Sequence, residues 1–540
     1  MEATGASEFL RGLRAGGVDW VFCNAGTDFP PVIEALAAGG DYPRLVPILH
    51  ENVAVGMAHG YYLATGRPQA AMVHVNVGTA NAVMALVNAH RDQVPVLLAA
   101  GRTPLTEGGR PGSRTDAIHW GQDMFDQGGM VREVTKWDHE LRDASAAADM
   151  VGRALAVAMA APRGPVYLSL PRETLAAPVA SPAGVSGAVP VPTAANPPPA
   201  VVAAVAARLA AASDPVIVTS RGSRELFEVL PAFADRFAVP VTQVRPAQLT
   251  MPTRHPLSTG TLPGPQLARA DLVIVLDTAV PWLPGGPRPA DDAYVVHVGA
   301  DPLHSRIPVR TFATDLAVTA EPHLFAAALT AALAGYTPPP DRRGRLVEEI
   351  AAARAAEPDT AAARVSRAVS DVLGEGVVVS EIGARPAAMD LTRWDSYFGP
   401  PLSGGLGWGL PAALGVKLAD PARLVVATVG DGSYVFANPS ASHQAAATLG
   451  LGLLTVVFDN GRWESVRSST ARMYPDGAAV AAPEMPLTRL GPAPDYVRLV
   501  EAYGGHGAHV TDLDTLPAAL KTARDRCLAG QQCLVAVSVP

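Results

Sequence analysis

The sequence predicts an α/β protein of three doubly wound, parallel-sheet domains, and three observations lead there. The chain has 540 residues, too many for a single hydrophobic core. Two proline-rich stretches break it into blocks. Inside each block, short continuous apolar runs alternate with segments of helical spacing, the pattern of parallel strands covered on both faces.

The first break is Ala177–Ala200, crowded with Pro, Ala, Gly and Ser; the second is Tyr336–Arg343, with Pro338, Pro339 and Pro340 in a row. Such segments are extended and enter neither helix nor sheet readily. They divide the chain into roughly 1–178, 198–335 and 345–540. In the first block Trp20–Cys23, Gln69–Val75 and Val94–Ala100 read as buried strands, with a helix over Glu51–Thr65. In the second, Val216–Thr219, Leu272–Leu276 and Tyr294–Val298 play that part. In the third, Leu424–Val429 and Leu453–Phe458 do so, and a helix is expected over Ala412–Ala419.

Composition narrows the function. Apolar residues make up 49% and charged residues 17%, as in a core-forming globular chain, and the net charge is -8. An acidic chain without a Lys- or Arg-rich run lacks the footprint of a nucleic-acid binder. Cys23, Cys527 and Cys533 are too few and too scattered for a disulfide framework or a zinc site. Met1 to Arg14 has no apolar stretch of signal-peptide length, and no run of about 18 apolar residues suggests a membrane span. A cytoplasmic enzyme acting on small molecules is expected.

The chemistry concentrates at the ends of strands, where open α/β sheets bind ligands. Leu424–Val429 runs into Gly430-Asp431-Gly432-Ser433, whose glycines are expected to make a tight turn and bring backbone N–H groups near an anion. Asn438-Pro439 reads as a helix cap followed by proline at the first helical position. The next strand ends in Phe458-Asp459-Asn460-Gly461. Between Gly432 and Asp459 lie the residues Ser433 to Phe458, about one helix and one return strand of a βαβ unit. Asp431 and Asn460 should therefore meet at the ends of adjacent strands. A carboxylate, an amide oxygen and a backbone carbonyl can fill half a magnesium octahedron, with phosphate oxygens and water completing it.

A GDG followed at this distance by asparagine resembles the thiamine-diphosphate motif of the pyruvate oxidase and decarboxylase family, including benzoylformate decarboxylase and acetolactate synthase. The resemblance implies that Asp431, Asn460 and the Arg462 carbonyl hold magnesium, and that Gly430, Gly432 and the Ser433 hydroxyl lie at the diphosphate. Ser403-Gly404-Gly405-Leu406-Gly407-Trp408-Gly409-Leu410-Pro411 is similar to the family's loop beneath the cofactor. There Leu406 would support the bent cofactor, with Gly404 nearby.

In the first block, His50-Glu51-Asn52 and the following Gly56, Gly60 and Tyr61 resemble the family segment whose glutamate hydrogen-bonds the aminopyrimidine. Glu51 is the implied acid that promotes formation of the C2 ylide. Val73-His74-Val75-Asn76-Val77-Gly78-Thr79 looks like the segment carrying a catalytic histidine, so His74 is the expected proton donor at substrate. Asn24-Ala25-Gly26-Thr27-Asp28 resembles a turn whose hydroxyl meets the substrate carboxylate; Thr27 could donate that bond or cap the next helix. His119 and Gln122, in a stretch that reads as a solvated loop, are candidate substrate contacts, as are Ser465, Val466 and Ser469 beyond the metal motif.

The resemblance spans the chain but is weak in the middle. Leu276-Asp277-Thr278-Ala279-Val280-Pro281-Trp282-Leu283-Pro284 has no histidine where benzoylformate decarboxylase has one, and Trp282 would fill that space. Glu381-Ile382-Gly383-Ala384-Arg385 stands where that enzyme has a hydroxyl-rich turn. Taken together, the resemblance implies the thiamine-diphosphate-binding fold with pyrimidine-binding, central and diphosphate-binding domains. The implied activity is decarboxylation of a 2-oxo acid through an enamine, with an acetolactate-synthase-like carboligase as the alternative and a catalytically dead regulatory protein as a third reading. Thiamine diphosphate and magnesium are the implied cofactors, flavin is expected to be absent, and a homodimer or homotetramer is the implied assembly.

Overall fold

The computed structural model describes residues 3–180 and 189–540. Part of the first linker, residues 181–188, lies outside the described residues. Beyond it, Pro199 opens the helix Pro199–Ala211, with proline where its missing N–H costs nothing.

Three parallel sheets form where the apolar runs lie. The first contains β1 (Trp20–Cys23), β2 (Arg44–Pro47), β3 (Gln69–Val73), β4 (Val96–Arg102), β5 (Asp138–Glu140) and β6 (Val166–Pro171), in the order β2-β1-β3-β4-β6-β5. The second contains β7 (Pro215–Thr219), β8 (Val241–Gln243), β9 (Leu272–Leu276), β10 (Tyr294–Gly299) and β11 (Leu316–Thr319), in the order β11-β10-β9-β7-β8. The last part of the chain supplies β12 (Val377–Ser380), β13 (Tyr397–Phe398), β14 (Val425–Gly430), β15 (Leu454–Asp459), β16 (His506–Val510) and β17 (Cys533–Ser538). The expected strands form within a residue or two of their predicted ends, the limit of any boundary reading. Among the described residues no helix is long and apolar enough to cross a membrane.

The chain makes two compact units. One comprises Pro192–Ser380 and Ala384–Pro400, with the second sheet and the β12–β13 pair. Its apolar interior includes Trp282, set edge-on to Phe312 at 5.4 Å. The tryptophan that stands in place of a histidine is thus a core residue of this unit. Thr253 fixes a loop here: its Oγ1 donates to the Met389 carbonyl and accepts from the Leu391 N–H.

The other unit joins Met1–Val191, Glu381–Gly383 and Pro401–Pro540, so the front and back of the chain pack together. In its C-terminal half β14, β15, β17 and β16 lie side by side in that order, all parallel. The two halves meet through the helices Glu51–Thr65 and Gly409–Ala419. Every residue from Glu51 to Tyr61 is buried, which explains why the first helix is apolar nearly all round. Glycines let the backbones approach: a Cβ at Gly60 would lie 1.9 Å from the Ala412 carbonyl oxygen, and one at Gly415 would lie 2.1 Å from that of Met57.

Gly60→Ala is therefore expected to lower stability by about 1–3 kcal/mol, because the obstructing atom is backbone and cannot rotate away. Gly344→Ala, in a helix with open space around it, should be neutral or stabilising. Urea midpoints of the two variants check this; equal midpoints would contradict it.

Candidate active site

Asp431 and Asn460 come together as their spacing predicts. Gly430 pairs with Phe458 in the parallel register of β14 and β15, so the next residues of both strands emerge side by side. The Asp431 carboxylate ties these ends: Oδ1 accepts from the Gly432 N–H at 2.8 Å, and Oδ2 accepts from the N–H groups of Asn460 (3.2 Å) and Gly461 (2.7 Å). Asn460 Oδ1 accepts from the Arg462 N–H, while the Arg462 carbonyl accepts from the Glu464 N–H.

The expected glycine turn is corrected. Neither Gly430 nor Gly432 has a positive φ; Gly430 precedes and Gly432 lies within the short helix Asp431–Phe436. Gly432 is required for another reason: a Cβ there would lie 2.1 Å from the Trp463 ring. Asn438 does precede the helix Pro439–Leu449, but its side chain does not cap it. The residue adopts the left-handed region at φ 47° and its Nδ2 donates back to the Phe436 carbonyl.

A cavity of about 230 Å³ opens beside this motif, lined by Asp431, Gly432, Gly461, Trp463, Phe436 and Tyr496 among others. Ser465 and Val466 are exposed on the helix Glu464–Met473 and do not line it. The buried Ser433 Oγ lies near the Glu381 carboxylate and makes no hydrogen bond of normal geometry. A buried hydroxyl held off normal hydrogen-bond geometry is under-satisfied, and a phosphate oxygen would give it a well-placed acceptor. Asp431, Asn460 and the Arg462 carbonyl could hold a hard divalent cation, with Ser433 at the attached phosphate.

The loop Ser403–Gly409 is held from both sides. The Asn88 amide donates to the Gly405 carbonyl and accepts from the Gly405 N–H and the Ser403 hydroxyl. Glu381 accepts from the N–H groups of Gly407 (2.8 Å) and Gly409 (2.6 Å). Burial pushes the Glu381 carboxyl up to about 7, against the pull of those two donors. Leu406 is half-buried and Gly404 is exposed with φ 66°, a conformation that favours glycine.

In the N-terminal half, Glu51 is buried at the start of its helix, and its Oε2 accepts from Asn81 Nδ2 at 3.2 Å. The neighbouring Asn52 reaches the Gly407 carbonyl. His74 follows β3, close enough to Glu51 to feel its charge, and its Nε2 lies 3.3 Å from Gln122 Nε2. Its other nitrogen, Nδ1, is 2.6 Å from Asp28 Oδ1. That carboxylate raises the His74 pKa above its ordinary value; burial opposes the shift and Glu51 adds to it.

His119 is buried although its neighbours Ile118, Trp120 and Phe125 are exposed, so the solvated-loop reading fails at this residue and not along its segment. Its Nδ1 accepts from the Thr115 N–H, and burial, reinforced by Arg172, lowers its pKa. Thr27 is exposed and does not cap the following helix, whose cap position is Phe29. Its carbonyl accepts from the buried Arg172. Asp28 and Trp463 are not singled out by sequence; Asp28 shows only as a charged residue inside an otherwise small-residue turn, and Glu381 only as a departure from the family's hydroxyl-rich turn.

Comparison with known proteins bears on the family of the chain. Three family models match in order: the N-terminal TPP binding domain of thiamine pyrophosphate enzymes over residues 3–130, their central domain over 202–329, and their C-terminal TPP binding domain over 382–536. Benzoylformate decarboxylase of Pseudomonas aeruginosa is 30% identical, covering 95% of this chain and 94% of that protein. The acetolactate synthase large subunit of Parasynechococcus marenigrum is 26% identical, covering 96% and 85%. Among solved structures, a thiamine diphosphate-dependent 4-hydroxybenzoylformate decarboxylase from Rhodococcus jostii superposes with a TM-score of 0.81 at 25% identity, covering 99% of both chains.

Proposed function

Since the chain belongs to the thiamine pyrophosphate enzymes, within their decarboxylase and acetolactate synthase group, we propose that it decarboxylates a 2-oxo acid using thiamine diphosphate and magnesium. The observation that carries this reading is the placement of a buried Glu51 beside His74 at the N-terminal strand ends, in a chain that also builds the Asp431–Asn460 site. Asp431, Asn460 and the Arg462 carbonyl would hold magnesium; Ser433, Gly430 and Gly432 would meet the diphosphate, with Leu406 and Gly404 beneath the rings. When bound, the cofactor supplies a carbon nucleophile and an electron sink for the electrons left by departing carbon dioxide.

The chain's own residues do the rest. Glu51 holds a proton at the aminopyrimidine nitrogen, a task suited to a buried carboxyl whose Asn81 contact leaves part of it free for the ligand. His74 Nε2 delivers a proton to the substrate carbon after carbon dioxide leaves. Thr27 and Gln122 bind the substrate carboxylate and carbonyl, and His119 backs them. Glu51 would reach a cofactor held by a second subunit, which requires at least a dimer.

The second reading, joining the retained carbons to another carbonyl, is favoured by the likeness to acetolactate synthase over most of both chains. A panel of 2-oxo acids, with thiamine diphosphate and magnesium supplied, separates the readings. Aldehyde with carbon dioxide is the expected product; 2-hydroxyketone would favour the second reading. Carbon dioxide release from none of them would remove both.

A further inference from the structure

We infer that Asp28 is the positioning residue of this site: its carboxylate holds His74 with the proton on Nδ1 and so turns Nε2, paired with Gln122, to the working side. The inference rests on the reading of His74 as the proton donor and adds the residue that sets its tautomer and charge.

The geometry is built around this pair. Asp28 is buried, and both its oxygens are engaged on the same turn: Oδ1 with the His74 ring and Oδ2 with the Val75 N–H at 3.2 Å. Val75 has φ 32°, a left-handed conformation that a β-branched residue adopts only when its surroundings enforce it. The bond from Asp28 is one such restraint. Two glycines make the room. A Cβ at Gly26 would lie 2.1 Å from His74 Nδ1, and one at Gly101, in β4, would lie 1.6 Å from Asp28 Oδ2. Both positions are closed to any other residue while the pair stays where it is.

A carboxylate accepts only, so the 2.6 Å contact requires a hydrogen on Nδ1. In neutral His74 the remaining nitrogen is then an acceptor, as the facing Gln122 Nε2 needs. Gln122 Oε1 is buried without a hydrogen-bond partner. Turning the amide over would place that oxygen at Nε2, where it would accept from the imidazolium. Gln122 can thus partner either protonation state. The charged groups that bear on the ring are Asp28 and Glu51, both favouring the imidazolium, and His119, whose own protonation is disfavoured by His74.

The test uses the full chain with ring-labelled histidine, the His74 signal being assigned by its loss in His74→Asn. In the wild-type protein, His74 should titrate above an ordinary histidine and carry its neutral-form proton on Nδ1. A neutral form protonated on Nε2 would overturn the inference without recourse to any variant. In Asp28→Asn the midpoint should fall by about one unit or more, as expected on losing an adjacent opposite charge. The limb of the kcat/KM profile belonging to His74 should move by the same amount. Lost turnover with an unmoved midpoint would overturn the role of Asp28 and leave the proposed function intact. A high midpoint in a protein that turns over no 2-oxo acid would support the pair and overturn the function.

Discussion

Glu51→Gln is expected to lower turnover by about 10²–10⁴-fold, the span attributed to a positioned acid or base, while the protein stays folded. The substitution preserves shape and keeps an oxygen for the Asn81 amide, which donates to Oε2 at 3.2 Å. It removes only the ability to hold and return a proton. Stability should scarcely change, because the helix keeps its His50 cap and its packing against Gly409–Ala419. Circular dichroism and a urea midpoint establish that the fold survives. The decisive measurement is deuterium exchange at C2 of the bound thiamine diphosphate, which isolates the step that Glu51 serves from everything later. Exchange at the wild-type rate would remove Glu51 from the proposed role, whatever happened to overall turnover.

The parts of this site that were readable in the sequence are those fixed by local spacing. Glu51 falls at the start of the helix because a strand end, a capping residue and an apolar helix follow one another there. Asp431 and Asn460 meet because the intervening residues are the length of one βαβ return, and parallel register then puts consecutive strand ends together. What escaped detection depends on partners far away along the chain. Asp28 acquires its meaning from His74, 46 residues on, and Gly432 acquires its meaning from the Trp463 ring. Glu381 stands where the resembled enzyme has a hydroxyl-rich turn, and its carboxylate fastens the glycine loop through Gly407 and Gly409. The Asn438 cap failed for a different reason: the residue type and the following proline were right, but φ 47° turns the side chain away from the helix it precedes.

The same distinction shapes the expected behaviour of Asp431→Asn. Asp431 does two things that can be separated: it ties Gly432, Asn460 and Gly461 together by N–H···O bonds, and it brings a negative charge to the proposed magnesium. Asparagine retains one oxygen, so it can keep some of the N–H contacts while cancelling the charge. Outer partners of a metal site typically contribute about 10–100-fold in affinity; loss of the carboxylate proposed to meet the ion directly should exceed about 100-fold. Trp463 packs on Gly432 and lines the adjoining cavity, so its fluorescence should report binding of thiamine diphosphate titrated with magnesium present. Ser433→Ala gives the scale, since a single hydrogen bond contributes about 0.5–1.5 kcal/mol, or roughly 2–12-fold. Asp431→Asn should therefore weaken the magnesium-dependent binding far more than Ser433→Ala does. An Asp431→Asn protein that binds as tightly as the wild type, with the same magnesium requirement, would show that the cation is held elsewhere.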